Sequence, residues 1–417
     1  MNSLDLALLF FLLLVVLNYR AQRSVLYPPF IFCVTWLLDL ALYRSGLIEI
    51  EPVHANTLAI VAAGAASFSV GGLLAILTPR KLLRAHLFPP KQEWHFGFLR
   101  NALMIILLCG LPVIFYQILQ LSKSGGGGFN ILLQARVALI ESIESGDLSP
   151  LRLLSYFTTM ATFTCLLLAT GKKDLHFWVV TVVALIGCIL STGRTSILIL
   201  ISGLSAIRLL QAKQESLLGA MRLLRWPVAL FVALFIGLIF TNKDTGAITG
   251  GIAGVASFYI LGYIVGPLAA FDLVVQHPAD FIGTSSHTFE FPVKLAAVLH
   301  LTNYVKPPIF ESFVYVPFPV NVYTIFRFFF VELGTVGTMV LLLFIGLLHS
   351  LLYLKARQGG RFSTYLFAYS VFPVLVVIFD DHYFNIESYI YVFIFGLLCF
   401  QIGSMPFRLL PAIKVRR

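Results

Sequence analysis

Apolar runs about as long as a bilayer-crossing helix recur along the whole chain, and they limit its folding more than any other feature. LALLFFLLLVVL (6–17) and MVLLLFIGLL (339–348) are two of them. Only 12% of the 417 residues are charged, where a soluble domain carries about 25%. The runs are continuous, so they lack the alternating polarity of a β-barrel. The expectation is all-α: one polytopic integral membrane helical bundle over 1–417, without separate soluble domains.

Spans are expected near 4–19, 27–43, 56–78, 101–121, 151–170, 175–191, 196–211, 226–241, 328–353, 363–380 and 387–404, about eleven transmembrane helices. The first run lacks a basic flank before it and a small-residue cleavage site after it, so it reads as a retained helix. Cys33, Cys109, Cys165, Cys188 and Cys399 all fall inside apolar runs and form no CxxC pair. They read as small buried hydrophobes, not disulfides or metal ligands.

Lys and Arg set the orientation. The loops around 20–23, 80–100, 172–173, 208–225 and 355–361, with the tail 408–417, hold 20 of the 29 basic residues. These are alternate loops, so they become the cytoplasmic side, with the amino terminus outside and the carboxyl terminus inside. The net charge of +10 then reflects topology. It does not argue for nucleic acid as a partner, and no nucleic-acid-binding motif is present.

Two long segments fall on the outer side, 122–150 and 241–327. The first opens with SKSGGGGFN, a glycine run without the Lys-Ser/Thr ending of a phosphate-binding loop. The second contains IAGVASFYILGYIVGPLAAFDLVV, apolar enough to cross. A crossing there would move KARQGGR and the KVRR tail outside, against the charge rule. A helix lying on the outer surface, or re-entering the bundle, is expected instead.

With the cytoplasmic charges set aside, Arg44, Lys123, Arg136, Arg152, Arg194, Lys243, Lys294, Lys306 and Arg327 remain. Ionisable groups at a bilayer are costly and tend to mark substrate paths. Arginine suits a phosphate or diphosphate, because its planar fork donates two hydrogen bonds and stays charged. Arg194 lies in STGRTS (191–196), a short turn between two spans. There Ser191, Thr192, Thr195 and Ser196 supply hydroxyls, and Thr195 or Ser196 can cap the next helix. A helix start favours an anion; the bland reading is a tight turn with a snorkelling arginine. Arg136 reads equally as a partner for Glu141 or lipid headgroups, and Arg327 as an interfacial anchor beside aromatics.

Among the outer-face carboxylates and histidines are Asp272, His287, Glu290, Glu311, Glu332, Asp380, Asp381 and His382. FDDHYFNIES sets a base at the outer end of the tenth span, where it can accept a hydroxyl proton. GTSSHTFEFP spaces His287 and Glu290 three apart. Both also read as solvated loops, and neither has an established metal spacing.

The layout, with STGRTS (191–196) and PVNVYTIFRFFFVELGTVG (319–337), resembles the Wzy-type polymerases of bacterial surface polysaccharides. These are also called O-antigen or oligosaccharide repeat-unit polymerases. The resemblance implies a GT-C-like fold with a large periplasmic insertion carrying interfacial helices, in the bacterial inner membrane. The implied enzyme is a metal-independent glycosyltransferase acting on the periplasmic face. It transfers a glycan from undecaprenyl diphosphate onto the non-reducing end of another lipid-linked repeat unit, with no cofactor. Its implied partners are undecaprenyl-diphosphate-linked oligosaccharides, membrane lipids and a chain-length regulator. Arg194 and Arg327 carry over as diphosphate-binding residues, and Arg136 more loosely. The Arg136–Gly146 and Arg327–Gly337 spacings are one residue short of the spacing some members show. Asp381 or His382 then assists the acceptor, and Asn321, Tyr323 and Thr324 suit sugar. Other readings are an O-antigen ligase that uses a lipid A-core acceptor, a lipid-linked oligosaccharide flippase or permease, and a structural membrane subunit. No internal repeat of the kind common in transporters is evident.

Overall fold

Each run expected to span overlaps a helix in the computed structural model. It describes residues 2–404 except 48, 80, 82, 84–86, 89–96, 125–133, 135–150, 172–173, 192–193, 214–215, 243–250, 284–285, 306–310 and 385. The helices are α1 (Ser3–Gln22), α2 (Pro28–Ser45), α3 (Ala55–Leu77), α4 (Gly97–Ser124), α5 (Leu151–Ala169), α6 (Leu175–Leu190) and α7 (Arg194–Ala212). They continue with α8 (Leu217–Asn242), α9 (Gly251–Gln276), α10 (Glu290–Val298), α11 (Phe326–Arg357), α12 (Arg361–Leu375) and α13 (Ile386–Ser404). A two-residue hairpin, β1 (Val314–Tyr315) and β2 (Pro319–Val320), precedes α11. Among the described residues, six helices are long and apolar enough to cross a membrane, and four shorter ones are also apolar.

Loops alternate between two ends of the bundle. At the basic end, Arg357 donates to Gln22, Gln211 donates to the Ala169 carbonyl, and Arg100 pairs with Asp174. At the opposite end, Arg44 pairs with Asp5, and Asp272 accepts the His54 N–H and the Thr57 hydroxyl.

The α3–α11 contact anchors one half of the bundle. A Cβ on Gly71 would meet the Leu343 carbonyl, and one on Gly346 would meet the Phe68 carbonyl. Small residues let the two backbones approach, as apolar helices need when no water drives them together. Around this contact Phe11, Phe32, Trp36, Phe68, Phe271, Phe326 and Phe329 form one buried cluster. A second cluster joins α5, α6, α7, α12 and α13.

α11 breaks at Gly334, whose φ of 67° and ψ of −177° are not helical. The left-handed φ favours glycine there. The break separates a short segment carrying Arg327 and Glu332 from the long apolar helix beyond. The unbroken part of the helix thus starts after Gly334, inside the expected 328–353.

α9 holds the stretch read as lying on the outer surface or re-entering the bundle. Gly266 packs on Val320 and Phe318 beside the hairpin, Tyr263 meets Phe379, Phe271 meets Phe326, and Asp272 bonds the start of α3. All these neighbours sit at the end opposite the basic loops. The described part of α9 therefore follows that end of the bundle and is covered by it.

Candidate functional site

The Pro-rich stretch before α11 cannot be a regular helix, and it is pinned instead. The Ile325 N–H donates to the Val377 carbonyl at 2.9 Å, and the Tyr323 hydroxyl to the Ser312 carbonyl at 3.2 Å. This brings Arg327 beside the segment that follows α12. Arg327 is only 5% exposed. Its Nη2 lies 2.6 Å from Glu311 Oε2, and its guanidinium carbon sits 4.1 Å from the Tyr323 ring centre. Phe328 and Phe281 complete the aromatic wall. Among the described residues Nη1 has no hydrogen-bond partner, so a buried donor is left open.

Glu311 also faces His287, with Nε2 3.2 Å from Oε1. Burial pushes the His287 imidazole below its ordinary value, and the pull of Glu311 only partly opposes this. The imidazole is therefore neutral near pH 7, and the Glu311 charge is balanced chiefly by Arg327. Glu332 accepts the Ser286 hydroxyl at 2.7 Å and the His287 and Thr288 N–H groups at 2.7 and 3.2 Å. Those bonds hold His287 in place. The spacing of His287 and Glu290 does not make them a pair: Glu290 turns away to accept the Tyr304 hydroxyl.

Asp380 lies within electrostatic reach of Glu311 and Arg327, and Asp381 within reach of Glu332. Burial drives the Asp381 carboxyl up to about 8, although it accepts the Tyr383 N–H at 2.9 Å. Burial drives the His382 imidazole down to about 4.

His382 also lines a cavity of about 250 Å³ between α5, α7, α12 and α13. Ser155, Thr159 and Thr162 of α5, Thr195 and Ser196 of α7, and Ser388 and Tyr389 of α13 contribute hydroxyls. Phe163 and Phe372 supply apolar faces. Thr195 and Ser196 occupy the first turn of α7, inside the helix that begins at Arg194. Neither is the cap expected for them, because the helix starts earlier. The first turn of α7, where the positive end of the helix dipole lies, therefore borders the cavity.

Of the remaining predicted residues, Ser191 closes α6, with its hydroxyl donated to the Cys188 carbonyl at 2.8 Å. Thr324 is 1% exposed, and its hydroxyl accepts the Phe326 N–H at the start of α11. The Tyr323 ring is covered by Arg327. Asn321 is half-buried just before them. Arg194 is placed by its backbone as the first residue of α7. Arg136 and Thr192 lie outside the described residues. Two groupings escaped sequence reading: the pair of Glu311 with Arg327, and the cavity that the α5 hydroxyls share with His382. The second left a signal, since Ser155, Thr159 and Thr162 fall on one helical face.

Fold and site together define a helical protein with helices long and apolar enough to cross a membrane, a hydroxyl-lined cavity, and a buried Arg327–Glu311 pair. Comparison with known protein families, curated proteins and solved structures found no match to this chain.

Proposed function

We propose that the chain is a GT-C-like, eleven-span polymerase that joins undecaprenyl-diphosphate-linked oligosaccharide repeats at the periplasmic face of a bacterial inner membrane. The cavity carries this reading: hydroxyls, aromatic faces, a neutral imidazole and a helix start converge at the end away from the basic loops. Hydroxyls and aromatic faces suit a sugar ring. A helix start beside an arginine suits the diphosphate that leaves it.

In the reaction, the bond from the donor's anomeric carbon to the diphosphate oxygen breaks. The acceptor hydroxyl oxygen bonds to that carbon, and its proton passes to His382 and then to water. Undecaprenyl diphosphate departs with the negative charge. Arg194 neutralises that charge as it develops, which lowers the barrier where it counts. Arg327 adds its open Nη1 donor, and Glu311 keeps His287 as a second neighbour when a phosphate engages Arg327.

Cells with and without the protein test the reading. Undecaprenyl-linked glycans are expected to collapse from long chains to single repeats when it is removed. An unchanged size distribution, or loss of the repeats themselves from the periplasmic face, sinks it.

The pH profile locates the base. An imidazole held near 4 is already unprotonated through neutrality. Polymerisation by purified protein is expected to stay level from about pH 5 to 8, rather than rising near the ordinary histidine value of about 6.5. So weak a base suffices because the transition state at a sugar is oxocarbenium-like, and the hydroxyl loses its proton late. A limb near 8 that disappears in Asp381→Asn would move the base to Asp381.

A further inference from the structure

Along one side of the bundle, a groove of about 990 Å³ runs between α1, α2, α7 and α8, from Leu198 and Leu375 to Arg20 at the basic end. It reaches the upper end of the roughly 300–1,000 Å³ typical of small-molecule sites. Its lining is almost wholly apolar. From Leu198 to Leu209 along α7 it extends about 17 Å at 1.5 Å per residue, more than half of a ~30 Å hydrocarbon layer. Val16, Met221 and Val228 line it and are exposed, so it opens sideways toward lipid.

Two arginines line the groove toward its basic end. Arg20 comes from the last turn of α1 and Arg225 from α8. Both are exposed, and among the described residues neither forms an ion pair. Arg225 lies over Trp226, itself exposed as an interfacial aromatic would be. An apolar trough ending in two guanidinium groups suits long hydrocarbon chains joined to a phosphate, and on the basic side the abundant molecule of that chemistry is a phospholipid of the leaflet itself.

We infer that this groove binds an anionic glycerophospholipid from the leaflet at the basic end, its phosphate held between Arg20 and Arg225. Two fixed positive charges select against a headgroup that carries an ammonium beside its phosphate. They also oppose a second copy of the chain, because a two-fold contact there brings the same arginines together. The groove and the cavity that His382 lines share no lining residue.

The test is native mass spectrometry of the detergent-solubilised full chain, titrated with phosphatidylglycerol or phosphatidylethanolamine. The wild type is expected to retain phosphatidylglycerol preferentially. The Arg20→Ala/Arg225→Ala variant should lose affinity for it roughly tenfold or more. Val16→Trp, which narrows the groove from an exposed wall, should weaken binding with both arginines intact. Lys81→Ala, an exposed basic-end control outside the groove, should bind as wild type. Equal retention of the two lipids, or unchanged phosphatidylglycerol binding in the double variant, overturns the inference. So does a dimer that cross-links through Met221→Cys.

Discussion

Arg327→Ala is expected to lower stability by about 3–5 kcal/mol, because it leaves the Glu311 carboxylate without its main counter-charge. Arg327 has 7% side-chain exposure and Glu311 17%, so little water is available to replace the guanidinium. Removing one partner of a buried pair costs far more than removing both. An Arg327→Met/Glu311→Met double variant should therefore recover most of the loss. Thermal unfolding in detergent, followed by intrinsic fluorescence, measures both effects. The two variants also separate structure from chemistry. A double variant that folds but does not polymerise places the guanidinium on the substrate, which is the expected result given its unused Nη1 donor. Full activity in that variant would reduce Arg327 to a pin that holds the segment after α12.

The difference between what was legible and what was not follows from the range of each interaction. Helices were legible because the bilayer imposes a length that an apolar run must meet, and each run expected to span overlaps a helix; among the described residues six of the helices are long and apolar enough to cross. The run in α9 was legible as an apolar helix, and its contacts with Phe379, Val320 and the start of α3 depend on tertiary folding. The break at Gly334 was not legible. GTVG in an apolar context is equally compatible with an unbroken helix, and only the observed φ shows otherwise. Glu311 and Arg327 are separated by a hairpin and two prolines, so their pairing depends on tertiary folding. Sequence placed both on one face without joining them. STGRTS was singled out by its charge, yet the α5 hydroxyls that share a cavity with Thr195 and Ser196 were hidden because serine and threonine pass unnoticed in an apolar helix. Their spacing was the available clue.

Arg194→Ala is expected to reduce polymerisation by about 10²–10³-fold, the usual cost of removing one donor from developing negative charge. The position of the backbone supports this. Arg194 opens α7, and the next two residues line the cavity that His382 also enters. A guanidinium at that point adds to the positive end of the helix dipole, so charge and dipole act on the same anion. Arg194→Lys distinguishes two ways of meeting a diphosphate. A lysine keeps the charge but offers a compact ammonium without the planar fork. It should recover only a small part of the lost rate if two phosphate oxygens are held together, and most of it if charge alone matters. The assay uses purified variants and lipid-linked repeat units, with elution and thermal melting required to match the wild type. Near-normal rates for Arg194→Ala would remove the turn from the chemistry and leave it as a tight connection between α6 and α7. The burden of neutralising the leaving group would then fall on Arg327, whose enclosure by Glu311 and three aromatic rings makes it the harder of the two for a substrate to reach.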